Sequence, residues 1–475
     1  MNIKQLRQTI LDRAIRGQLV SQDPTDEPAS VLLERIRAEK EQLIKDKKLK
    51  REKRDNQPIE EIPFEIPEGW VWCRLGEIAY IASGSTPKST SFVDKGIPYL
   101  KVYNLRNQVI DFDYKPQYIK KSIHNGILKR SKTEIGDLIM NIVGPPLGKL
   151  AIIPTSLPES NFNQAAVLIR PYLHKNIVNK YLFYFLSEMS EINSISTKGS
   201  AGQVNISLSQ AKDMKIPLPP LKEQHRIVQK IEQLFALIDI IEVNKKALEK
   251  LIQQAKSQVL SDAVAGKLTH QDPNDEPAEE LLKRIGKTTA PDTPYEKMLP
   301  KGWAWCKLGD ISIINPKNKL NDELEVSFIP MSLISEGFSN AHTSEVKKWK
   351  NIKERYTHFC NEDIGIAKIT PCFENRKSVI FNNLKNGVGA GTTELYILRS
   401  NKTLSFNKYI FYFVKTQEFI NNGIKGFTGA VGQQRISRYF IENTLIPLPP
   451  LAEQQRIVEK IESYFSFFDT IESNL

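Results

Sequence analysis

The chain has 475 residues, 40% of them hydrophobic and 25% charged, which is long enough for more than one domain and apolar enough for sizeable cores. Its 66 Lys and Arg against 55 Asp and Glu leave a net charge of +11, a balance that favours a polyanionic partner. No run of about 18 apolar residues suggests a membrane span. The N-terminal stretch MNIKQLRQTILDRAIRG lacks the apolar core of a secretory signal. Four cysteines (Cys73, Cys306, Cys360, Cys372) without CxxC spacing argue against a disulfide or zinc framework and suit a reducing cytoplasm.

In chain order, residues 16–36 (RGQLVSQDPTDEPASVLLERI) read as a helix end, a Pro/Asp turn and a second helix. The basic run at 45–54 (KDKKLKREKR) reads as a DNA-contacting tail or, equally, as a solvated helix end or linker. PEGWVWCRLGEIAYI (67–81) then opens a module of short β-like runs, IPYLKVYNL, GDLIMNIVG and KLAIIP. The module closes with an aromatic helix (KYLFYFLSEM), a Gly/Gln loop (KGSAGQVNIS) and a strand leading into PLPP. From residue 221 to about 265 one long helix is expected. Pro220 can take its first position and Glu223 its favourable N-terminal turn. A 4,3 apolar spacing through Ile227, Ile231, Leu234, Ile238, Ile241, Leu248, Ile252, Ala255 and Val259, broken only by Lys245, predicts a coiled-coil seam. Gly266 ends it, QDPNDEP makes a turn, and Pro277 opens the short helix AEELLKRI. A second module runs from PKGWAWCKLGDISII (300–314) through VSFIPMSLI, EDIGIAKI and SVIFNN. It ends in the helix KYIFYFVKT, the loop GFTGAVGQQRIS and a second PLPP.

Much of this text is written twice. KIPLPPLKEQHRIVQKIEQLF (215–235) returns as LIPLPPLAEQQRIVEKIESYF (445–465), an offset of 230. RGQLVSQDPTDEPASVLLERI (16–36) returns as AGKLTHQDPNDEPAEELLKRI (265–285), an offset of 249. Leu475 thus corresponds to Lys245 and Met1 to Lys250, so only positions 246–249 lack a counterpart. The chain reads as a ring cut once inside a helix, with its two ends expected within a few residues' reach. The seam continues across the cut through Ile457, Ile461, Tyr464, Phe468 and Ile471, then Ile3, Leu6 and Ile10. Two such helices can pair antiparallel, and about 45 residues span about 65 Å. Trp70, Trp72, Trp303 and Trp305 recur in register and read as packing anchors, as do Cys73 and Cys306.

Motifs for chemistry are missing. GPPL (144–147) and the two LPPL segments lack the polar first and aromatic last residues of a base-holding methyltransferase loop. No GxGxxG follows a strand, GVGAGT (387–392) lies outside any βαβ unit, and there is no GxxxxGK[ST] phosphate loop. Asp363 and Lys368 are only loosely nuclease-like, and the six histidines (His124, His174, His225, His270, His342, His358) are scattered. The chain reads as a binder.

The repeated PLPPLxEQxRIVxKI helix start, the PxGWxWCxLG(D/E)I module start, the LDRAIRGQL and SDAVAGKLT helix ends and the QDPxDEPAxxLLxRI turn–helix together resemble the specificity subunit of type I restriction–modification systems. The resemblance covers the whole chain. It implies an α+β fold with two mixed α/β target-recognition domains, separated by a long antiparallel pair of coiled-coil helices in a circular pseudo-twofold repeat. The expected segments are an N-terminal helical segment (1–58), recognition domain 1 (59–219), a central helical region (220–290), recognition domain 2 (291–449) and a C-terminal helical segment (450–475). It also implies a non-catalytic, cytoplasmic DNA-recognition subunit that reads a bipartite target, one half-site per domain. Its partners would be double-stranded DNA, two modification subunits and a motor-nuclease subunit, with no membrane. S-adenosylmethionine, ATP and magnesium would belong to those partner subunits, and no cofactor or metal to this chain. Two other readings remain open from the residues alone: a coiled-coil protein scaffold, and the recognition half of a single-chain methyltransferase or nuclease.

Amide, hydroxyl and basic side chains in the divergent loops are the candidates for DNA contact, because they reach phosphates and base edges. In the first module these are Ser85, Thr86, Lys88 and Ser89, then Lys101, Tyr103, Asn104 and Arg106, then Gln203 and Asn205. In the second they are Lys317, Asn318 and Lys319, then Thr370, Asn375, Arg376 and Lys377, then Thr392 and Thr393, and Gln433, Gln434 and Arg435. Gln224, Arg226, Gln454 and Arg456, near the helix starts, are the candidates for partner contact.

Overall fold

The computed structural model describes residues 2–51, 59, 62–144, 147–188, 205–289, 299–403, 405–430 and 432–475. They form two compact units, Met1–Val243 and Asn244–Leu475. Met1 and Gln203 lie outside the described residues, and with Met1 the expected meeting of the two chain ends.

The first unit begins with α1 (Ile3–Ile15), whose first turn is capped by the Asn2 side chain, and α2 (Ala29–Lys45). Its strands are β1 (Val71–Arg74), β2 (Ala79–Ser83), β3 (Phe92–Val93), β4 (Ile97–Leu100), β5 (Leu105–Arg106), β6 (Val109–Ile110), β7 (Tyr118–Ile119), β8 (Leu138–Asn141), β9 (Leu150–Ile152), β10 (Asn161–Phe162) and β11 (Ala166–Pro171). Then come α3 (Lys175–Glu188), β12 (Lys215–Leu218) and α4 (Leu221–Val264), a single helix within which the division into units falls. One antiparallel sheet has the order β2-β11-β8-β9, and a second has β10-β4-β7-β3 with β10 and β4 parallel. β1 and β12 form an antiparallel ribbon, in which Cys73 faces Ile216.

The second unit repeats the plan. After α5 (Ala278–Lys283) come β13 (Ala304–Lys307), β14 (Ser312–Ile314), β15 (Glu325–Ile329), β16 (Glu345–Lys348), β17 (Thr357–Cys360), β18 (Ile364–Ala367), β19 (Ser378–Ile380), β20 (Val388–Gly391) and β21 (Leu395–Ser400). α6 (Asn407–Val414), β22 (Leu445–Leu448) and α7 (Leu451–Ser473) complete it. The sheet β14-β21-β18-β19 and the ribbon β13-β22 match their first-unit counterparts strand for strand. The remaining sheet, β16-β15-β20-β17, shares only the kernel: β20, β15 and β16 answer to β10, β4 and β7. The fourth strand is added at opposite edges, β3 beside β7 in one unit and β17 beside β20 in the other.

One buried junction recurs in both units. The Trp70 indole N–H donates to the Glu223 carboxylate at 3.0 Å, and the Gln22 amide donates to its other oxygen at 3.1 Å. In the second unit Trp303 donates to Glu453 at 2.8 Å and Gln271 does so at 3.1 Å. Each Gln also donates to the carbonyl of the helix-ending glycine, Gly17 or Gly266. Both glycines have positive φ, and a Cβ there would come within 2.3 Å of Pro67 or Pro300, so the position needs glycine twice over. Beside this node Arg226 pairs with Asp26 at 2.7 Å and Arg456 with Asp275 at 2.5 Å. The Tyr181 and Tyr409 hydroxyls donate to the carbonyls of Pro217 and Pro447, at 2.5 and 2.6 Å. Trp70, Trp303, Cys73 and Cys306 are buried as expected, and burial pushes both thiols up.

The helices pair antiparallel inside each unit. Arg7 of α1 reaches Asp239 of α4 at 2.5 Å and lies over the Phe235 ring. At the equivalent place Lys256 of α4 reaches Asp469 of α7 at 2.6 Å and lies over the Phe465 ring. The strict seam, however, is corrected. Ile227, Ile231, Ile238 and Ile252 are buried, but Ile241 is 43% exposed, and past Ile252 the buried positions are Lys256, Leu260 and Ala263 in place of Ala255 and Val259. The reason is that Leu260 and Ala263 also join the Trp303 core, and Leu11 and Ala14 do the same beside Trp70. The helix face turns to serve the module as well as its helical neighbour.

Replacing Glu223 by Ala leaves the indole and amide donors unsatisfied, and urea unfolding should show a loss of about 1–3 kcal/mol. Burial raises the Glu223 carboxyl above its usual range. Its contribution is therefore fullest below the unfolded-state pKa and falls as pH rises through the raised folded value. Glu223→Gln, neutral and able to accept, should lose less than Ala and should flatten that pH dependence; equal losses would contradict this role.

Candidate nucleic-acid interface

In the first unit the parallel strands β4 and β10 end at the same sheet edge, so the residues that follow them emerge together. The Asn163 N–H donates to the Leu100 carbonyl, and the Ser85 N–H donates to the Phe162 carbonyl. The loop after β2 can lie this close because residue 84 is glycine: a Cβ there would stand 2.1 Å from the Asn163 carbonyl oxygen. Ser85 is then fixed by the Tyr99 hydroxyl on its carbonyl (2.9 Å) and by Arg130 on its Oγ (3.1 Å), while Thr86, Lys88 and Ser89 stand exposed. Lys101 follows β4 and lies near the rings of Phe92 and Tyr103. Asn205 joins Val143 in an isolated bridge, and its Oδ1 is buried without a hydrogen-bond partner, as is that of Asn163.

The second unit builds the same edge from different side chains. The Thr392 N–H donates to the Ile329 carbonyl, as Asn163 does to Leu100. Arg435 bridges Ile369 as Asn205 bridges Val143. Its guanidinium clasps Glu394 with two bonds of 2.9 Å, and the Glu394 N–H in turn donates to the Thr392 hydroxyl oxygen. The Thr370 N–H donates to the Gln434 carbonyl at 2.9 Å, and the Thr370 Oγ1 is buried with no partner. Thr370, Thr392, Thr393, Gln433, Gln434 and Arg435, drawn from three distant segments, thus gather at one edge. Arg435 holds the Gly/Gln loop to the sheet, and Gln433 and Thr393 are exposed.

Several candidates are corrected. Asn104 is buried, accepts from the Lys101 N–H and donates to the carbonyls of Asp111 and Tyr114, so it builds the loop and faces no ligand. Asn318 accepts from Arg399 and donates to the Phe359 carbonyl, which places Lys317, Asn318 and Lys319 by β17, away from the Thr370 and Thr392 edge. Arg376 is half-buried, donates to the Lys415 carbonyl and to Gln417, and is braced over Phe338. Asn375 donates to Glu336, and Lys377 to the Met331 carbonyl. Gln224 and Gln454 are fully buried and donate to the carbonyls of Pro219 and Pro449, so neither is a surface for a partner. Arg226 and Arg456 are ion-paired inside the helix–turn junction; reversing their charge would strike the fold itself. Asn163 and Gln164 join this edge without any local sequence signal of their own. The matching text NQAAVLIR (163–170) and TTELYILR (392–399) places them on Thr392 and Thr393. Among the described residues no group of His, Cys, Asp and Glu could hold a metal, and no helix is long and apolar enough to cross a membrane.

Comparison with known proteins follows the repeat. The family model described as type I restriction modification DNA specificity domain matches twice, over residues 67–250 and 300–475. The EcoAI specificity subunit of Escherichia coli is 46% identical over 241 residues, 46% of this chain and 41% of that protein. The EcoEI subunit is 44% identical over 241 residues and is likewise covered over only 40% of its length. The EcoKI specificity subunit of Escherichia coli strain K12 is 23% identical over 423 residues, covering 86% of this chain and 85% of that one. Two solved chains share the fold. One, from a study of complex assembly in the type I R-M system, has TM-score 0.58 at 19% identity, covering 87% of this chain and 94% of its own. The other, the HsdS subunit from Thermoanaerobacter tengcongensis, has TM-score 0.54 at 18% identity, covering 88% and 94%.

The Lys415 ammonium is buried under the Asn375–Arg376 turn, donating to the carbonyls of Gly337 (2.6 Å) and Arg376 (3.0 Å), with no carboxylate partner among the described residues. Burial lowers its pKa to about 7. Between that value and the ordinary lysine range the unfolded chain holds the extra proton, so stability rises with pH across this window and falls as pH drops. Lys415→Met should flatten the slope of urea-unfolding stability between about pH 7.5 and 9.5, which for one proton approaches about 1.4 kcal/mol per pH unit. An unchanged slope would assign the titration elsewhere.

Proposed function

Because the chain belongs to the family of type I restriction modification DNA specificity domains, we propose that it is the sequence-reading, non-catalytic subunit of such a system, with each unit reading one half of a bipartite DNA target. The observation that carries this is the pair of equivalent sheet edges. The backbone frame is the same in both units, yet the side chains it presents differ: Asn163 and Gln164 in one, Thr392 and Thr393 in the other. A shared frame with exchanged polar side chains is what two readers of two different half-sites need. Lys and Arg supply phosphate attraction, consistent with the net charge of +11. S-adenosylmethionine, ATP and magnesium chemistry is assigned to the modification and motor-nuclease subunits that assemble with this chain.

The surface for the modification subunits moves from the buried glutamines to exposed apolar residues of the helices. Leu237 is 56% exposed on α4, and its repeat counterpart Phe467 is 62% exposed on α7. Ile240 and Ile241 continue the first patch, and Tyr464 lies one turn from Phe467 on the second. Large apolar groups left open at repeat-equivalent positions suit two copies of one partner.

Two experiments test this reading. Exchanging residues 84–205 for the same stretch of a related chain should change one half of the methylated target, mapped by single-molecule sequencing in a host supplying the modification subunit. A change in both halves, or in neither, would refute the division of labour. Leu237→Asp together with Phe467→Asp should lower the mass of the purified complex by the modification subunits while circular dichroism of the chain stays unchanged; full assembly by the double variant would exclude this surface.

A further inference from the structure

Just after the first strand of its parallel pair, each unit doubles back antiparallel, and the first unit does so in the shorter hairpin. Just after β4, strands β5 and β6 pair Leu105 with Ile110 and Arg106 with Val109, leaving only Asn107 and Gln108 at the tip. Both tip residues have positive φ, 49° and 61°, which is the requirement of a type I′ hairpin turn. Asn tolerates that region; Gln at the second position, where glycine is preferred, does so at a cost. Both are exposed, and Val109 beside them is 57% exposed.

The tip is held firmly from below. Buried Asn104 ties Lys101, Asp111 and Tyr114 together through three hydrogen bonds of 2.9–3.0 Å. The Asp111 N–H returns to the Asn104 carbonyl at 2.8 Å. Arg106 lies 4.3 Å over the Tyr114 ring and 3.6 Å from Asp111, while Lys115 lies 5.3 Å from the same ring. Cations therefore flank the ribbon, with two amides at its end. In the second unit the chain leaving β15 doubles back through a longer loop, residues 335–341. Ile334 bridges His342, and the Asn340 side chain accepts from the Ile380 N–H at 2.7 Å, so that loop is tied to β19.

Resting on the DNA-reading function above, we propose that Asn107 and Gln108 are specificity-determining residues of the first unit, the hairpin entering the major groove and one tip amide reading an adenine edge. The major groove admits a two-stranded ribbon, and Asn or Gln pairs bidentately with adenine N6 and N7. Exposed Val109 is the apolar type that packs on the neighbouring thymine methyl. Arg106 and Lys115 hold the flanking phosphates, and the strained turn fixes the amides in place before DNA arrives.

The test uses the full chain expressed with its modification subunit, its methylated sequences mapped genome-wide. Asn107→Gly with Gln108→Gly removes both amides while keeping residues that favour the turn; Asn107→Ala with Gln108→Ala serves as the comparison. Discrimination at one A·T position in one half of the target should fall by about 5- to 150-fold, the loss of one bidentate base contact, with the other half unchanged. An unchanged consensus in the glycine variant overturns the proposal. So does a uniform loss of methylation at every site, which would make the hairpin a phosphate or folding element. A wild-type chain that directs no sequence-specific methylation overturns the DNA-reading function, and this proposal with it.

Discussion

A buried carboxylate at the start of a long helix holds each unit together. Glu223 and Glu453 sit in the first turn of their helices, where the helix dipole favours an anion. Each receives an indole N–H from the module start and an amide N–H from the turn after the other helix. Three segments separated by as many as 201 residues thus converge on one side chain. Removing any one of them leaves a buried polar group without its partner, which costs more than the bond contributes. The same constraint explains why PLPP, GW and QDPxDEP are written twice while the sequence between them is not.

Holding the frame at that junction leaves the far edge free to vary. The sheet containing β11 and its counterpart containing β21 keep one strand order, and the other sheet keeps a three-strand kernel with its fourth strand added on opposite sides. Loops following the parallel strands then emerge at equivalent places with different lengths and side chains. Buried oxygens without partners lie along these edges, at Asn163 and Asn205 in one unit and Thr370 in the other. Such groups are costly in a fold and suit a surface completed by a ligand.

The circular repeat, the long helix and the α+β character were legible because they rest on local text and offset arithmetic. The detail of the seam was not. Ile241 fits a heptad as well as Ile238 does, and only the module packing under Leu260 and Ala263 shows which face is covered. Polar residues were harder still. Gln224 and Arg226 look like surface groups in a helix, yet their partners lie at Pro219 in the preceding strand end and at Asp26 in a turn 200 residues away. Asn104 has the side chain of a base reader and the burial of a core residue. By contrast Thr370, Thr392 and Gln434 lie in separate loops and converge, because Thr392 links β20 to β21, β21 pairs with the β18 that leads to Thr370, and the Thr370 N–H donates to the Gln434 carbonyl. Asn163 and Gln164 are legible only through the repeat, whose matching text sets them on Thr392 and Thr393.

The central claim is that the two edges address different halves of one target. Photo-crosslinking from a benzophenone side chain placed at Gln164, and separately at Gln434, measures it most directly, with the chain assembled with its modification subunit on its own methylation site. The account predicts that Gln164 cross-links to bases of one half-site and Gln434 to bases of the other. Cross-links from both positions to the same half, or to the intervening base pairs alone, would contradict it.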